Sequence, residues 1–324
     1  MKNIIMIFLI LLVIPCQISI ASEIETIHFL IPSKPGGGWD TTARETARTL
    51  VKTGLIGNAT FENIQGAGGY RAMLNFINKP DIYKNALMVQ STPLIFRNIM
   101  GIYKDSFRSL KPVCLLIGEY QVIAVDSKSP YKSVADIISS VKKDRVSAAI
   151  MGGSPKGSLD HITATLIMKA GGIKPGTLRY CGDKIGEDSL KYLMKGYGIA
   201  LVTGYGEIAD ALKTGKVRVL GITSEKRLPG VDVPTFREQG LDVVFVNWRG
   251  FFARSDISDK HYNTYRNLLV EMSKSEAWQK VREKYAWSHF LKTDDSLIQF
   301  LEAQEKELRA IAESLELIKK DAFK

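Results

Sequence analysis

The segment Ile31-Pro32-Ser33-Lys34-Pro35-Gly36-Gly37-Gly38-Trp39-Asp40 follows the apolar run Ile27 to Ile31 and precedes a helix-compatible run, Thr41 to Val51. A strand, a glycine turn and a helix in that order form an anion site. Three glycines remove the Cβ atoms that would keep a ligand off the main chain, and N–H groups at a helix N-terminus point partial positive charge into the space above it. Such a site holds an acidic small molecule without a catalytic side chain.

Working outward, the chain alternates between β-rich runs and helix-length stretches. The β-rich runs are Thr26 to Ile31, Ala59 to Ile64, Ala86 to Gln90, Val113 to Ile117, Gln121 to Val125, Val146 to Ile150, Ile199 to Thr203 and Val217 to Ile222. Helices are predicted between most of them: Thr41 to Val51, Gly69 to Ile77, Ser133 to Lys142, Ser158 to Ala170, Glu187 to Lys195 and Glu207 to Leu212. This alternation predicts an α/β protein with parallel sheets flanked by helices. The last third differs: Asp256 to Lys320 reads as two or three amphipathic helices and no strand. In the final helix Leu301, Leu308, Ile311, Leu315 and Ile318 recur at helical spacing, which predicts a lid or brace on a core.

A second loop repeats the logic of the first. Ala148-Ala149-Ile150 reads as a strand end, Met151 to Gly157 as a turn, and Ser158-Leu159-Asp160-His161 as the start of a helix capped by Ser158, or by Ser154 ahead of Pro155. Its glycines and hydroxyls present donors at a strand's carboxyl end, where ligands bind in open α/β sheets.

Residues 1 to 21 read as an export signal: Lys2, the apolar run Ile4 to Pro15, and small residues Ser19 and Ala21 at the positions a signal peptidase reads, with cleavage after Ala21. A retained anchor and lipidation at Cys16 are the alternatives. Cleavage lowers the formal charge only from +10 to +9, because Lys2 leaves and no acid does. The basic balance draws anionic ligands or acidic surfaces. No Lys/Arg run exceeds two residues and no zinc or aromatic RNA-binding signature occurs, so nucleic acid is not an expected partner. Cys114 and Cys181 either form one disulfide in an oxidising compartment or stay as thiols; their separation decides nothing.

Pro32 to Arg44, Asn63-Ile64-Gln65-Gly66-Ala67-Gly68-Gly69, Gly152 to His161, and Val246-Asn247-Trp248-Arg249-Gly250-Phe251-Phe252-Ala253 together resemble the extracytoplasmic solute receptors of tripartite tricarboxylate transporters, the TctC or Bug family of periplasmic binding proteins. The resemblance covers nearly the whole mature chain. It implies a type II periplasmic-binding-protein fold: two α/β lobes joined by two crossover strands, closing on a small carboxylate in the cleft between them. Carried onto this chain, residues 22–119 and 247–324 form lobe 1 and residues 120–246 form lobe 2. It also implies the periplasm as location, the membrane subunits of a tripartite tricarboxylate transporter as partners, a monomer, and no cofactor or metal.

By the same resemblance the loops matching Gly36, Gly37, Gly38, Trp39 and Asp40, and Gly152, Gly153, Ser154, Lys156, Ser158 and His161, hold the ligand carboxylate through main-chain and hydroxyl donors and ordered water. Ser91 and Thr92 stand at another strand-to-helix turn, and Tyr205 lies in a second-lobe loop; all three are candidates for the cleft. Each has an ordinary alternative. Asp40 reads as a helix N-cap, Trp39 as a wedge, Ser91 and Thr92 as caps, Lys34 and Lys156 as solvated surface charges, and His161 as a neutral ring satisfying local backbone. Arg249 reads as a brace for the hinge.

An enzyme is the alternative from another class. His28, His161, His261 and His289 make no metal-ligand pair at helical spacing, no Ser/His/Asp or Cys/His set shares a local motif, and Gly66-Ala67-Gly68-Gly69 fails the dinucleotide pattern. Binding without catalysis is therefore expected, with a membrane sensor as the alternative recipient of the ligand. The Gly-Gly-Gly-Trp-Asp loop resembles the tricarboxylate branch of the family and favours a di- or tricarboxylate.

Overall fold

The computed structural model describes residues 25–154, 156–182, 189–314 and 316–318. The proposed signal segment, Cys16 and Leu315 lie outside the described residues. Among the described residues ten strands carry the architecture: β1 (Thr26–Ile31), β2 (Asn58–Asn63), β3 (Ala86–Ser91), β4 (Leu110–Asp126), β5 (Ile150–Gly152), β6 (Tyr180–Cys181), β7 (Ala200–Gly204), β8 (Val217–Ile222), β9 (Val246–Arg254) and β10 (Ser288–Lys292). They join in the order β2-β1-β3-β9-β4-β7-β5-β6, with β8 and β10 also on β4.

Two α/β lobes meet on β4. Its first half pairs with β9 and β10, and its second half with β7 and β8, all antiparallel. The parallel pairs expected from the alternation are β1 with β2 and β3, and β5 with β6 and β7. The chain leaves lobe 1 along β4 and returns along β9, and these two strands pair side by side, Glu119 opposite Asn247 and Ile117 opposite Arg249.

Both lobes are sandwiches because their strands are apolar on both faces. In β1, Ile27, Phe29 and Ile31 pack with Ala43, Ala47 and Leu50 of the helix Gly38–Lys52, while Leu30 points to the other face, among Met73 and Phe76 of the helix Tyr70–Asn78 and Leu297, Leu301 and Leu308 of the C-terminal helix Asp294–Ser314. In lobe 2, Ile123 and Val125 face one cluster and Val122 and Ala124 the other. The C-terminal helix is thus a wall of the lobe 1 core. Trp248 is fully buried there and donates its indole N–H to Gln304.

Three departures from the sequence reading have physical reasons. The runs Val113 to Ile117 and Gln121 to Val125 belong to one 17-residue strand, because Gly118, Glu119 and Tyr120 stay extended by pairing with β9. The run Val146 to Ile150 becomes strand only from Ile150; Val146 is exposed in a turn whose amides Asp144 caps. The Asp256 to Lys320 region, expected to be wholly helical, contains β10, whose half-exposed residues lack a strong apolar pattern and are held extended by the edge of β4.

Candidate functional site

The lobes enclose a cleft of about 760 Å³. Its lobe 1 wall is the first glycine loop, with Gly36, Gly37 and Gly38 on the lining beside Ser33 and Lys34. Gly37 is the N-cap of the helix Gly38–Lys52 and offers no side chain to the first turn, which leaves the helix N-terminus open toward the cleft. Gly36 takes φ +86°, a conformation that favours glycine. Gly38 has a different cause: a Cβ there would fall 2.7 Å from Cζ of Arg249, so the missing side chain lets the guanidinium lie against the loop.

Asp40 is not the helix cap. It sits within the first turn, buried, and its carboxylate accepts the Gly36 N–H at 2.9 Å, the Arg44 guanidinium at 2.9 Å and the Asn63 amide at 2.9 Å. Burial opposes its ionisation, but Arg44, the Gly36 N–H and Asn63 outweigh that and hold its carboxyl below the usual range. Asp40 therefore fixes the loop from behind. Trp39 turns inward as well; its indole N–H donates to the Ser91 hydroxyl at 2.9 Å and its ring packs beside Gly69. Neither Trp39, Asp40 nor Ser91 is on the cleft lining.

The lobe 2 wall brings Gly153 and Ser154 to the lining, followed by Leu159 and Asp160 of the helix Leu159–Ala170. Here the loop's donors converge on an internal carboxylate. Ser158 donates its hydroxyl to Ser154 at 2.7 Å, Ser154 donates to Asp160 at 2.6 Å, and the Gly153 N–H also bonds Asp160. Ser158 is the N-cap by position but spends its hydroxyl on Ser154. Gly152 makes room for Tyr180, whose hydroxyl donates to the Ser154 carbonyl at 2.6 Å. His161 accepts the Gly157 N–H on Nδ1 at 3.1 Å and packs against the Tyr180 ring.

The remaining sequence candidates stand off the main cleft. Thr92 is buried, donates to the Val246 carbonyl at 3.3 Å, and faces Ser158 across a void of about 10 Å³ that Phe96 and Ile162 also line, where the lobes touch. Lys156 is exposed on its loop, and Tyr205 is half-buried at the start of the helix Tyr205–Lys213. Its successors Gly206, Glu207 and Ile208 reach the lining instead.

Charge at the floor comes from the crossover strands β4 and β9. Arg249 on β9 and Glu119 on β4, with side chains 7% and 6% exposed, form an ion pair, and the guanidinium lies 5.9 Å from the Trp287 ring centroid. Two more carboxylates join them. Asp160 is buried, and burial, then the neighbouring Glu207, push its carboxyl up to about 7 against the pull of its hydrogen bonds. Glu207 is solvent-accessible in the cleft and accepts from the Thr203 hydroxyl; the enclosing walls and nearby Glu119 shift its carboxyl upward.

Gln121 and Asn247, 1% and 5% exposed, complete this floor. The Asn247 amide N–H lies 3.5 Å from Glu119, whereas Gln121 Oε1 and Asn247 Oδ1 have no partner among the described residues. In the sequence alone Arg249 reads only as a brace, and Glu119, Gln121, Glu207 and Asn247 carry no local signal of a site. They sit in ordinary strand and helix contexts, and the cleft floor they share exists only once β4 and β9 pair.

Among the described residues no group of three or more His, Cys, Asp or Glu is placed to hold a metal ion, and no helix is long and apolar enough to cross a membrane. Cys114 and Cys181 are free thiols, the first buried and the second half-buried.

Residues 42–317 match the profile of the family described as Tripartite tricarboxylate transporter family receptor. A curated relative, a UPF0065 protein of Bordetella bronchiseptica, is 25% identical over 65% of this chain, a match that spans 62% of the relative's own length. Among solved structures, Rpa4515 of R. palustris with adipate is 20% identical with a TM-score of 0.78, covering 90% of this chain and 97% of that one. MatC from Rhodopseudomonas palustris with bound malate is 20% identical with a TM-score of 0.72, covering 88% of this chain and 98% of that one.

Proposed function

Because the chain belongs to the tripartite tricarboxylate transporter receptor family, a family of solute-binding receptors and not of enzymes, we propose that it is an exported receptor that captures a small organic carboxylate in the interlobe cleft. The observation that carries this reading is the helix N-terminus at Gly36, Gly37 and Gly38 with the Arg249 guanidinium lying against it, on the wall of a cleft of about 760 Å³. A carboxylate there meets a guanidinium and first-turn N–H groups together, a charge-assisted arrangement. The adipate and malate in the two structural relatives support a carboxylate as the class of ligand.

In this reading Gly36, Gly37, Gly38, Gly153, Ser154 and Arg249 touch the ligand. Trp39, Asp40, Ser91, Thr92, Gly152, Lys156, Ser158, His161 and Tyr205 act on the loops or the contact between lobes. Residues 22–119 with 247–324 form one lobe and 120–246 the other, hinged where Glu119 and Asn247 pair. The ligated protein, a monomer in the periplasm freed of its signal after Ala21, delivers its ligand to the membrane subunits of such a transporter. The loop pattern favours a di- or tricarboxylate, whereas Glu119, Asp160 and Glu207 raise the cost of each extra negative charge on the ligand.

Calorimetry and small-angle scattering on the mature chain test this. A small carboxylate should bind at one site per chain and compact the molecule by hinge closure. Chemical turnover of the bound acid, or saturation without compaction, would overturn the reading.

A further inference from the structure

The helix Leu159–Ala170 of lobe 2 packs in two directions. Ala164, Ile167 and Met168 lie in the core of their own lobe, with Ile137, Ile138 and Val141. Ile162, 1% exposed, belongs instead to the lobe 1 core with Phe96 and Met100, and Leu159 and Leu166 pack against that same core. Leu159, Ile162 and Leu166 are spaced three and four residues apart, so they form one stripe along the helix. One face of the helix therefore belongs to its own lobe and another to the neighbouring lobe.

The stripe runs from one interlobe opening to a second. Leu159 lines the ligand cleft, and Leu166, about 10 Å further along the helix, lines a rear groove of about 470 Å³. The far wall of that groove is Ala310 and Ile311 of the C-terminal helix, and Val243 and Val244, just ahead of the crossover strand β9, close another side. Between the two openings Ile162 meets Pro93 and Phe96 of the helix Pro93–Ile99, with a void of only about 10 Å³ between them. Pulling these surfaces apart would bring the buried Ile162 and Phe96 into water, whereas tilting one on the other keeps them covered.

We propose that this stripe is a rocker: lobe 2 tilts on lobe 1 about Ile162, so that closing the ligand cleft widens the rear groove, and bulk placed in that groove favours the closed form. The inference rests on the two-lobe carboxylate-receptor reading and adds what sets the balance between its open and closed forms. Apparent affinity scales with the population of the binding-competent form, so the rear groove tunes the cleft without touching the ligand.

Wedges in the rear groove test this. Ala170 and Ala310 are exposed on its opposite walls, and Ala170→Trp and Ala310→Trp each add bulk there, so both variants should unfold thermally close to the parent. Arg309→Trp, exposed on the same helix but off the groove lining, is the control. Small-angle scattering on the unliganded mature chain should give both wedge variants a smaller radius of gyration than the parent, with the control unchanged. Titration calorimetry with malate, adipate and citrate as probes should show that any acid the parent binds is held about threefold or more tighter by the wedge variants, as a threefold gain in closed population requires. Wedge variants no more compact than the parent overturn the rocker, and binding of one of these acids at one site per chain then leaves the carboxylate reading standing. Compaction without tighter binding of an acid that the parent holds overturns the rocker as well. If the wedge variants are more compact and none of the three acids binds any of the proteins, the rocker stands and the carboxylate reading falls.

Discussion

Replacing Arg249 by Met removes the cation from the hinge and leaves Glu119 buried beside two other carboxylates. In the parent the pair is nearly dry, with side chains 7% and 6% exposed. Two unit charges at contact attract by about 4 kcal/mol at the effective dielectric constant of ~20 that suits protein sites. Truncating one partner costs about 3–5 kcal/mol, because the remaining charge keeps its desolvation penalty and loses its compensation. At about 2–4 °C per kcal/mol for a chain approaching this size, the variant should melt roughly 10 °C lower.

The loss should also depend on pH. Burial and the charge of Glu119 already raise the Glu207 carboxyl and Arg249 pulls it back, so without Arg249 the Glu207 carboxyl should move further up. Such a group binds more protons when folded, so its contribution to stability is present at low pH and is lost as pH rises through its folded value. Thermal and urea unfolding followed by circular dichroism should therefore show the full deficit at about pH 7.5 and a smaller one at about pH 5. Glu119→Gln should cost less than Arg249→Met, since Glu207 stands near enough to feel Arg249 and can take over part of the pairing. A deficit under about 1 kcal/mol at neutral pH, the size expected of a surface pair, would refute the reasoning. So would a deficit equal at both pH values.

Three further outcomes follow from the same geometry. Gly37→Val places a side chain at the mouth of the helix N-terminus, and its Cβ meets nothing closer than Ser33 Oγ at 3.6 Å. The fold should survive while a ligand at ~100 times its parent Kd loses the stabilisation of about 2.7 kcal/mol it gives the parent; an unchanged thermal shift would put the ligand elsewhere. Asp160 titrates at about 7 when folded, against an ordinary 3.8, so its contribution to stability is complete below the ordinary value and is lost as pH rises toward 7. Asp160→Asn should flatten the fall in stability of the unliganded protein over that window, and urea titrations with equal slopes for both proteins would count against the assignment. Cys114 is fully buried and burial pushes its thiol well above the ordinary range, whereas Cys181 is half-buried. A thiol reagent should modify one cysteine quickly in the native mature chain and two after denaturation; finding fewer than two on denaturation without reductant would mean that they pair.

Local signals made the glycine loops legible in the sequence. A run of three glycines between an apolar strand and a helix has few other structural uses, and the β1 pattern of Ile27, Phe29 and Ile31 against Leu30 announces a strand buried on both faces. Both loops and the final helix could be read within windows of a dozen residues, and the α/β class from the alternation of such windows along the chain, since backbone geometry and burial periodicity are set by near neighbours. The long β4 and the edge strand β10 could not, because each owes its extended form to a partner strand far along the chain.

The chemistry of the cleft belongs to the tertiary structure. Nothing in the local sequence distinguishes Asp40, which turns back to hold its own loop, from a carboxylate aimed at a ligand; the difference is made by Arg44 and by Asn63 on β2. Glu119, Asp160 and Glu207 lie on a hinge strand and two separate helices of lobe 2, each unremarkable in its own context. Only the pairing of β4 with β9 and the packing of those helices bring the three together with Arg249. Sequence determines where the chain can present its backbone nitrogens, because that is a matter of glycine and φ. Which charges face them is decided by folding, because electrostatic interactions depend on distance through space rather than along the chain.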